Sequence, residues 1–178
     1  MTVLKRASIA CLVIGLLLAV DAAPARTDAA PGQAQPASGG VPLTMPNKED
    51  SFKFAVLGDF GTGSREQYDL AAVMQRVHDQ FPFTLVTLVG DNLYGSERPQ
   101  DFKKKFEDPY KSLLDGGVKF YASLGNHDDP QEQRNYKLFN MDGKRYYSFK
   151  PEGKQSVRFF VLESSYLLPE QVAWLRDL

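Results

Sequence analysis

A chain of 178 residues with 43% apolar side chains can build one packed core, and its 21 Lys and Arg against 22 Asp and Glu leave a formal net charge of −1. That balance excludes a protein that grips nucleic acid through bulk positive charge, and a single cysteine excludes a disulfide framework.

In chain order the first feature is a leader. Lys5 and Arg6 precede the apolar run IACLVIGLLLAV, and the small residues Ala22, Ala23 and Ala25 follow it. This order predicts a signal peptide over residues 1–22, with cleavage after Ala22 or Ala25, and a secreted or periplasmic protein. The run is shorter than the ~20 residues a spanning helix needs, so no stable membrane anchor is expected after cleavage. Cys11 lies inside the run, so the exported chain has no thiol and must be stabilised by packing. Residues 23–50 are rich in Ala, Pro, Gly and Gln, offer little apolar surface, and read as a disordered linker. The folded domain is expected over residues 51–178.

Within that domain the hydrophobic period switches repeatedly. FKFAVLG from Phe52 is a short apolar run ending in Gly, and Leu70, Val73, Met74, Val77 and Phe81 then recur at helix spacing, with Ser64 and Gln67 placed as a capping box. FTLVTLVG, after Pro82, is a second strand. DFKKKFEDPYKSLL repeats the helical pattern through Phe102, Phe106, Tyr110 and Leu113 or Leu114, with Lys103, Lys104 and Lys105 expected on a solvated face. VKFYASLG is a third strand. RYYSF and SVRFFVLE around PEGK form an expected hairpin, and PEQVAWLRDL opens a helix in which Val172, Leu175 and Leu178 establish a face. Strand, helix, strand, helix, strand argues for an α/β fold with a parallel sheet.

Each of the three strands ends in Gly followed by a short polar residue: Gly58-Asp59, Gly90-Asp91 and Gly125-Asn126. Any one of these pairs could end a strand merely by favouring a turn. Three in succession on the carboxyl edge of a parallel sheet bring two carboxylates and a carboxamide to the edge where open α/β sheets bind ligands. Close carboxylates repel unless they share a proton or a cation, and no Lys or Arg in these motifs offers a counter-charge, so a metal is the economical explanation. Oxygen donors suit hard cations, and a phenolate from Tyr94 favours a strongly Lewis-acidic one such as ferric iron.

GDFG at 58–61, GDNLY at 90–94 and GNHD at 125–128 resemble the first three motifs of the calcineurin-like metallophosphoesterases. The Tyr in the second motif resembles the purple acid phosphatase branch, and FKFAVLGDFGTG, GVKFYASLGNHD and KRYYSF are similar to its small, tartrate-resistant type. The resemblance implies a four-layer αββα sandwich and a dinuclear centre of Fe(III) with a divalent Fe, Zn or Mn, hydrolysing phosphate monoesters. It implies that Asp59 binds the ferric ion, that Asp91 bridges both metals, that Tyr94 binds iron, and that Asn126 binds the divalent ion. It also implies that His127 is no ligand but serves the leaving group as a proton donor. Asn92 is expected to shape its loop, Asp128 to support the metal residues, and Asp129 to serve the turn before Pro130. His78 reads as an ordinary residue at the boundary of the helix, and Tyr146 and Tyr147 as strand residues on alternate faces.

DFG at 59–61 also matches a kinase magnesium motif, but it follows the first strand and lacks the lysine and catalytic-loop motifs that should precede it. A haloacid dehalogenase loop would want Asp where Gly61 stands. The family pattern asks for further metal-binding histidines after its third motif, and this sequence has His78 and His127 only. The expectation is therefore the N-terminal half of the domain, with its second sheet incomplete and its second metal held only by Asp91 and Asn126. Two function classes follow: a metal-dependent phosphatase given in part, or a non-catalytic remnant or binding protein derived from one.

Overall fold

Three short parallel strands organise the protein, seen in a computed structural model that describes residues 48–153 and 157–178. The leader expected over 1–22, and the linker up to residue 47, lie outside the described residues. Strand β1 (Phe54–Leu57) leads through helix α1 (Arg65–Gln80) to β2 (Leu85–Val89). A broken helical segment then leads to β3 (Lys119–Ser123), and the sheet order is β1-β2-β3. Both pairings are parallel, with Ala55 beside Val86 and Val86 beside Phe120. The α/β class and the parallel sheet thus follow the alternation read from the sequence.

Between β2 and β3 the single expected helix is three pieces: α2 (Pro99–Phe102), a π-helical turn (Lys103–Glu107) and α3 (Lys111–Asp115). Pro109 explains the break. It has no N–H to give the carbonyl of Lys105, four residues earlier, so the turn widens and Asp108 N–H reaches Lys103 O at 2.8 Å. The apolar stripe survives the break, and Phe102, Phe106, Tyr110 and Leu113 are all buried.

The freed carbonyl of Lys105 takes a hydrogen bond from Gln67 Nε2, and Gln67 Oε1 accepts Gly63 N–H at 2.7 Å. These two bonds correct the reading of α1. Ser64 is its N-cap residue, but the serine side chain makes no capping bond. Gln67 is drawn into the core, so the buried face runs through Gln67 and Ala71 to Met74 and Val77, while Leu70 and Val73 face outward. His78 stands edge-on to Phe83 at 4.9 Å, a packing role.

After β3 come α4 (Pro130–Gln133) and a 3₁₀ turn (Lys137–Phe139). The chain then forms β4 (Tyr147–Phe149), β5 (Phe159–Val161) and α5 (Pro169–Arg176). Strands β4 and β5 pair antiparallel as the expected hairpin, and among the described residues the second sheet has these two strands. Its aromatic side meets the first sheet, with Phe149 stacked on Tyr121 at 3.7 Å and Phe159 edge-on to Phe54 at 5.2 Å. Tyr147 is buried and its hydroxyl donates to Ala122 O, while Tyr146 lies against Trp174. Helix α5 turns Gln171 inward, where its amide pairs with the backbone of Glu163 at 2.9 and 3.0 Å, and leaves Leu175 exposed, as is Leu178 beyond the helix end. That differs from the apolar face expected from its spacing. Among the described residues no helix is long and apolar enough to cross a membrane.

The helical side of the sheet holds the densest packing. Ala122, Leu88 and Val86 are buried there, and Phe106, wholly buried, meets the rings of Phe120 at 5.0 Å and Phe139 at 4.9 Å. The other face is thinly covered: Val56 and Val89 are each 59% exposed. Phe106→Ala is expected to cost about 3–5 kcal/mol in urea denaturation, since it removes a ring from a site that cannot collapse. Val56→Ala should cost well under half of that in the same measurement.

Candidate metal centre

Each strand of the parallel sheet delivers one motif to the same edge. Asp59 follows β1, Asp91 follows β2, and Asn126 with His127 follow β3. The loops are knitted by their backbones: Asp59 N–H donates to Gly90 O at 3.2 Å, and Tyr94 N–H to Gly61 O at 2.9 Å.

Glycine is required where these loops cross. A Cβ on Gly61 would lie 1.9 Å from Asn92 O, and one on Gly125 would lie 2.2 Å from the Oδ1 of Asp91. Both aspartates turn in the left-handed region, with φ of 54° at Asp59 and 49° at Asp91. Non-glycine residues pay for that conformation, Asp less than most, and such strain gathers at functional sites.

The side chains converge as the motifs suggest. Tyr94 Oη stands 3.0 Å from Asp59 Oδ1 and 3.3 Å from Asp91 Oδ2, and His127 N–H donates to Asp91 Oδ1 at 3.2 Å. The Tyr94 and His127 rings lie 5.3 Å apart. Asn126 is exposed, and among the described residues no hydrogen bond engages its side chain. The phenol has one proton for two carboxylates. Desolvation, the hydrogen bond to Asp59 and the negative charge of both aspartates raise its pKa well above the ordinary tyrosine value of 10.

This donor set fits one hard cation. Three oxygens from Asp59, Asp91 and Tyr94 face one another, and a cation in place of the shared proton would relieve the repulsion that a single hydrogen cannot. A second ion would have only Asp91 and Asn126. Among the described residues no group of three or more His, Cys, Asp or Glu side chains is gathered to hold a metal.

Beneath the edge lies a polar frame. The buried carboxylate of Asp128 accepts Asn92 N–H at 2.7 Å, Leu93 N–H at 3.1 Å, Gly125 N–H at 2.7 Å and Gln133 Nε2 at 2.7 Å. Burial raises its pKa against the pull of those hydrogen bonds. Asn92, fully buried, spans the same gap by donating to Ser123 O at 2.7 Å and Gln133 Oε1 at 2.9 Å. Asn92 therefore shapes its loop and Asp128 supports it, while Asp129 caps α4 through Gln131 N–H at 2.8 Å.

One expectation is overturned here. Lys103 and Lys104 are solvated, but Lys105 is buried, and its ammonium donates to Tyr94 O and Ser96 O, both at 2.7 Å. Its place three residues after Phe102, beside Phe106 on the apolar side of the helix, was the available signal. Gln133 and Glu97 carried no comparable signal, because their partners are distant in sequence.

The family model described as calcineurin-like phosphoesterase matches residues 52–174, which takes in all three motifs. No curated protein matches the chain. Gly125→Ala is expected to displace the Asp91 carboxylate and abolish metal-ion binding in a calorimetric titration while the far-ultraviolet dichroism of the sheet and helices persists. The analogous change at Gly116, whose φ of −73° an alanine adopts without strain and which follows α3 at the opposite end of the sheet, should leave metal binding nearly intact.

Proposed function

Because the chain belongs to the calcineurin-like phosphoesterases, which use a dinuclear metal centre to hydrolyse phosphoesters, we propose that it is of the acid phosphatase type, purple branch, acting on phosphate monoesters. The observation that carries this reading is the single phenol set between two carboxylates, Tyr94 against Asp59 and Asp91. In this reading Asp59, Asp91 and Tyr94 hold Fe(III), and Asp91 with Asn126 reaches a divalent ion, Fe, Zn or Mn. The reading includes the four-layer sandwich, to which the parallel sheet with its helices and the β4–β5 hairpin would belong, and export by the leader.

When bound, such a pair would neutralise phosphate oxygens and lower the pKa of water enough to supply hydroxide. The protein's own groups do the rest. Asp91 has both oxygens ordered, Oδ1 by His127 N–H and Oδ2 by the phenol, so its carboxylate is pre-aimed. Tyr94 would hold the cation as its phenolate, its proton passing to solvent, because a positive charge reverses the preference that two carboxylates impose. His127 is exposed at the open edge, and as the P–O bond breaks its imidazole gives a proton to the departing ester oxygen.

Two outcomes test the reading. The oxidised, iron-loaded chain should absorb in the visible through phenolate-to-iron charge transfer, and Tyr94→Phe should remove the band; a colourless protein that nevertheless holds ferric iron overturns the purple assignment and leaves the family untouched. With the metal pair in place, His127→Ala should keep the band and lower turnover by about 10²- to 10⁴-fold on an alkyl phosphate. The loss on an activated aryl ester should be much smaller, and equal losses on both would remove His127 from the proton-donating role.

A further inference from the structure

Glu97 is buried, at 8% exposure, between the second motif and α4. Its Oε1 accepts Asp129 N–H at 2.9 Å and Gln133 Nε2 at 3.0 Å, but its Oε2 is buried with no hydrogen-bond partner. Gln133, wholly buried, passes the contact on to Asp128 Oδ1 at 2.7 Å and to the Asn92 amide at 2.9 Å. The four side chains form one continuous path from Glu97 to both loops that bear Asp91 and His127.

No cation balances this path among the described residues. Asp128, Asp129 and Glu132 face Glu97 from α4 and the loop before it. Glu107, across the neighbouring cavity, takes the hydroxyl of Tyr136 at 2.7 Å. On its own segment Arg98 is engaged by Asp101, Nε to Oδ2 at 2.9 Å, and the ammonium of Lys105 is turned to the carbonyls of Tyr94 and Ser96. A buried carboxylate with one unpartnered oxygen and like charges around it is costly as an anion and far less so as an acid.

We propose that Glu97 is a proton-holding positioning residue: its neutral carboxyl lets the path through Gln133, Asp128 and Asn92 hold the second and third motif loops in register, and its ionisation loosens both. The proposal rests on the metal-site reading only for its bearing on catalysis. Burial first, and then the charges of Asp128 and Asp129, push the Glu97 carboxyl up to about 7, against the hydrogen bonds from Asp129 N–H and Gln133. The folded value lies above the ordinary 4.5, so the proton favours the ordered loops. That contribution is complete below the ordinary value and is lost as pH rises through about 7.

Hydrogen exchange of the metal-free, full-length chain between pH 4.5 and 8.5 tests this, with rates corrected for intrinsic exchange. Protection of peptides covering 90–93 and 125–128 should fall by up to about tenfold per pH unit as pH rises toward 7, and level off above it. Glu97→Gln should flatten that dependence. Glu132→Gln, at an exposed carboxylate of the same cavity, should keep it. A ¹³C titration of glutamate carboxyls in the unmodified chain decides the matter even if Glu97→Gln does not fold, because one carboxyl should titrate near 7. Equal falls in the unmodified and Glu97→Gln proteins, or no glutamate titrating above pH 6, overturns the proposal. Neither readout needs metal, so failure to bind iron or hydrolyse esters would count against the proposed function alone.

Discussion

One buried carboxylate holds the functional edge of this protein together. Asp128 accepts hydrogen bonds from the backbone beyond β2, at Asn92 and Leu93, and beyond β3, at Gly125, so two loops from neighbouring strands share one anchor. A parallel sheet aligns strand ends but leaves the loops after them free to diverge, because its ladder stops at the last paired residue. The ladder here ends with Val89 beside Ser123. Past that point backbone bonds still join the first and second loops, but the second and third are held in register by side chains, and the Asp128 contacts replace the missing ladder there with several convergent bonds.

The anchor also permits the strain above it. Left-handed backbone at Asp59 and Asp91 costs free energy that a free loop would relieve by relaxing. Gly90, with φ of 102°, and Gly125 let the two loops approach until the Asp91 carboxylate lies against bare backbone, and Asp128 keeps them there. Strain, close approach and anchoring act together: the glycines remove the steric barrier, the hydrogen bonds supply the hold, and the aspartates are left aimed outward at one point.

Much of this edge was legible in the sequence, and the reason is local. Gly58-Asp59, Gly90-Asp91 and Gly125-Asn126 each combine a run of strand period with the turn chemistry that ends it, and the hairpin around PEGK has the same kind of signal. The errors fall where a polar residue is bound by something remote. Gln67 faces the core because Lys105, far along the chain, offers a carbonyl, and that turned the apolar stripe of α1 away from the face its spacing indicated. Lys105 is buried because the carbonyls of Tyr94 and Ser96 need a donor. Glu97 and Gln133 matter through the same long-range logic. Periodicity reads apolar burial and cannot see a polar side chain whose burial is balanced by hydrogen bonds from another element.

Those remote contacts join the broken helix to the phenol. Pro109 removes the donor that Lys105 O would otherwise have used, and Gln67 fills the gap, which fixes the start of α1 through Gly63 N–H. The same residue, Lys105, sends its ammonium to the carbonyls of Tyr94 and Ser96, and so holds the loop that brings the phenol between Asp59 and Asp91. A regular helix through this stretch would spend Lys105 O on its own ladder and leave Gln67 without that acceptor. The irregular turn is thus part of what sets the Tyr94 hydroxyl at hydrogen-bonding distance from two carboxylates, although it lies a full element away from them.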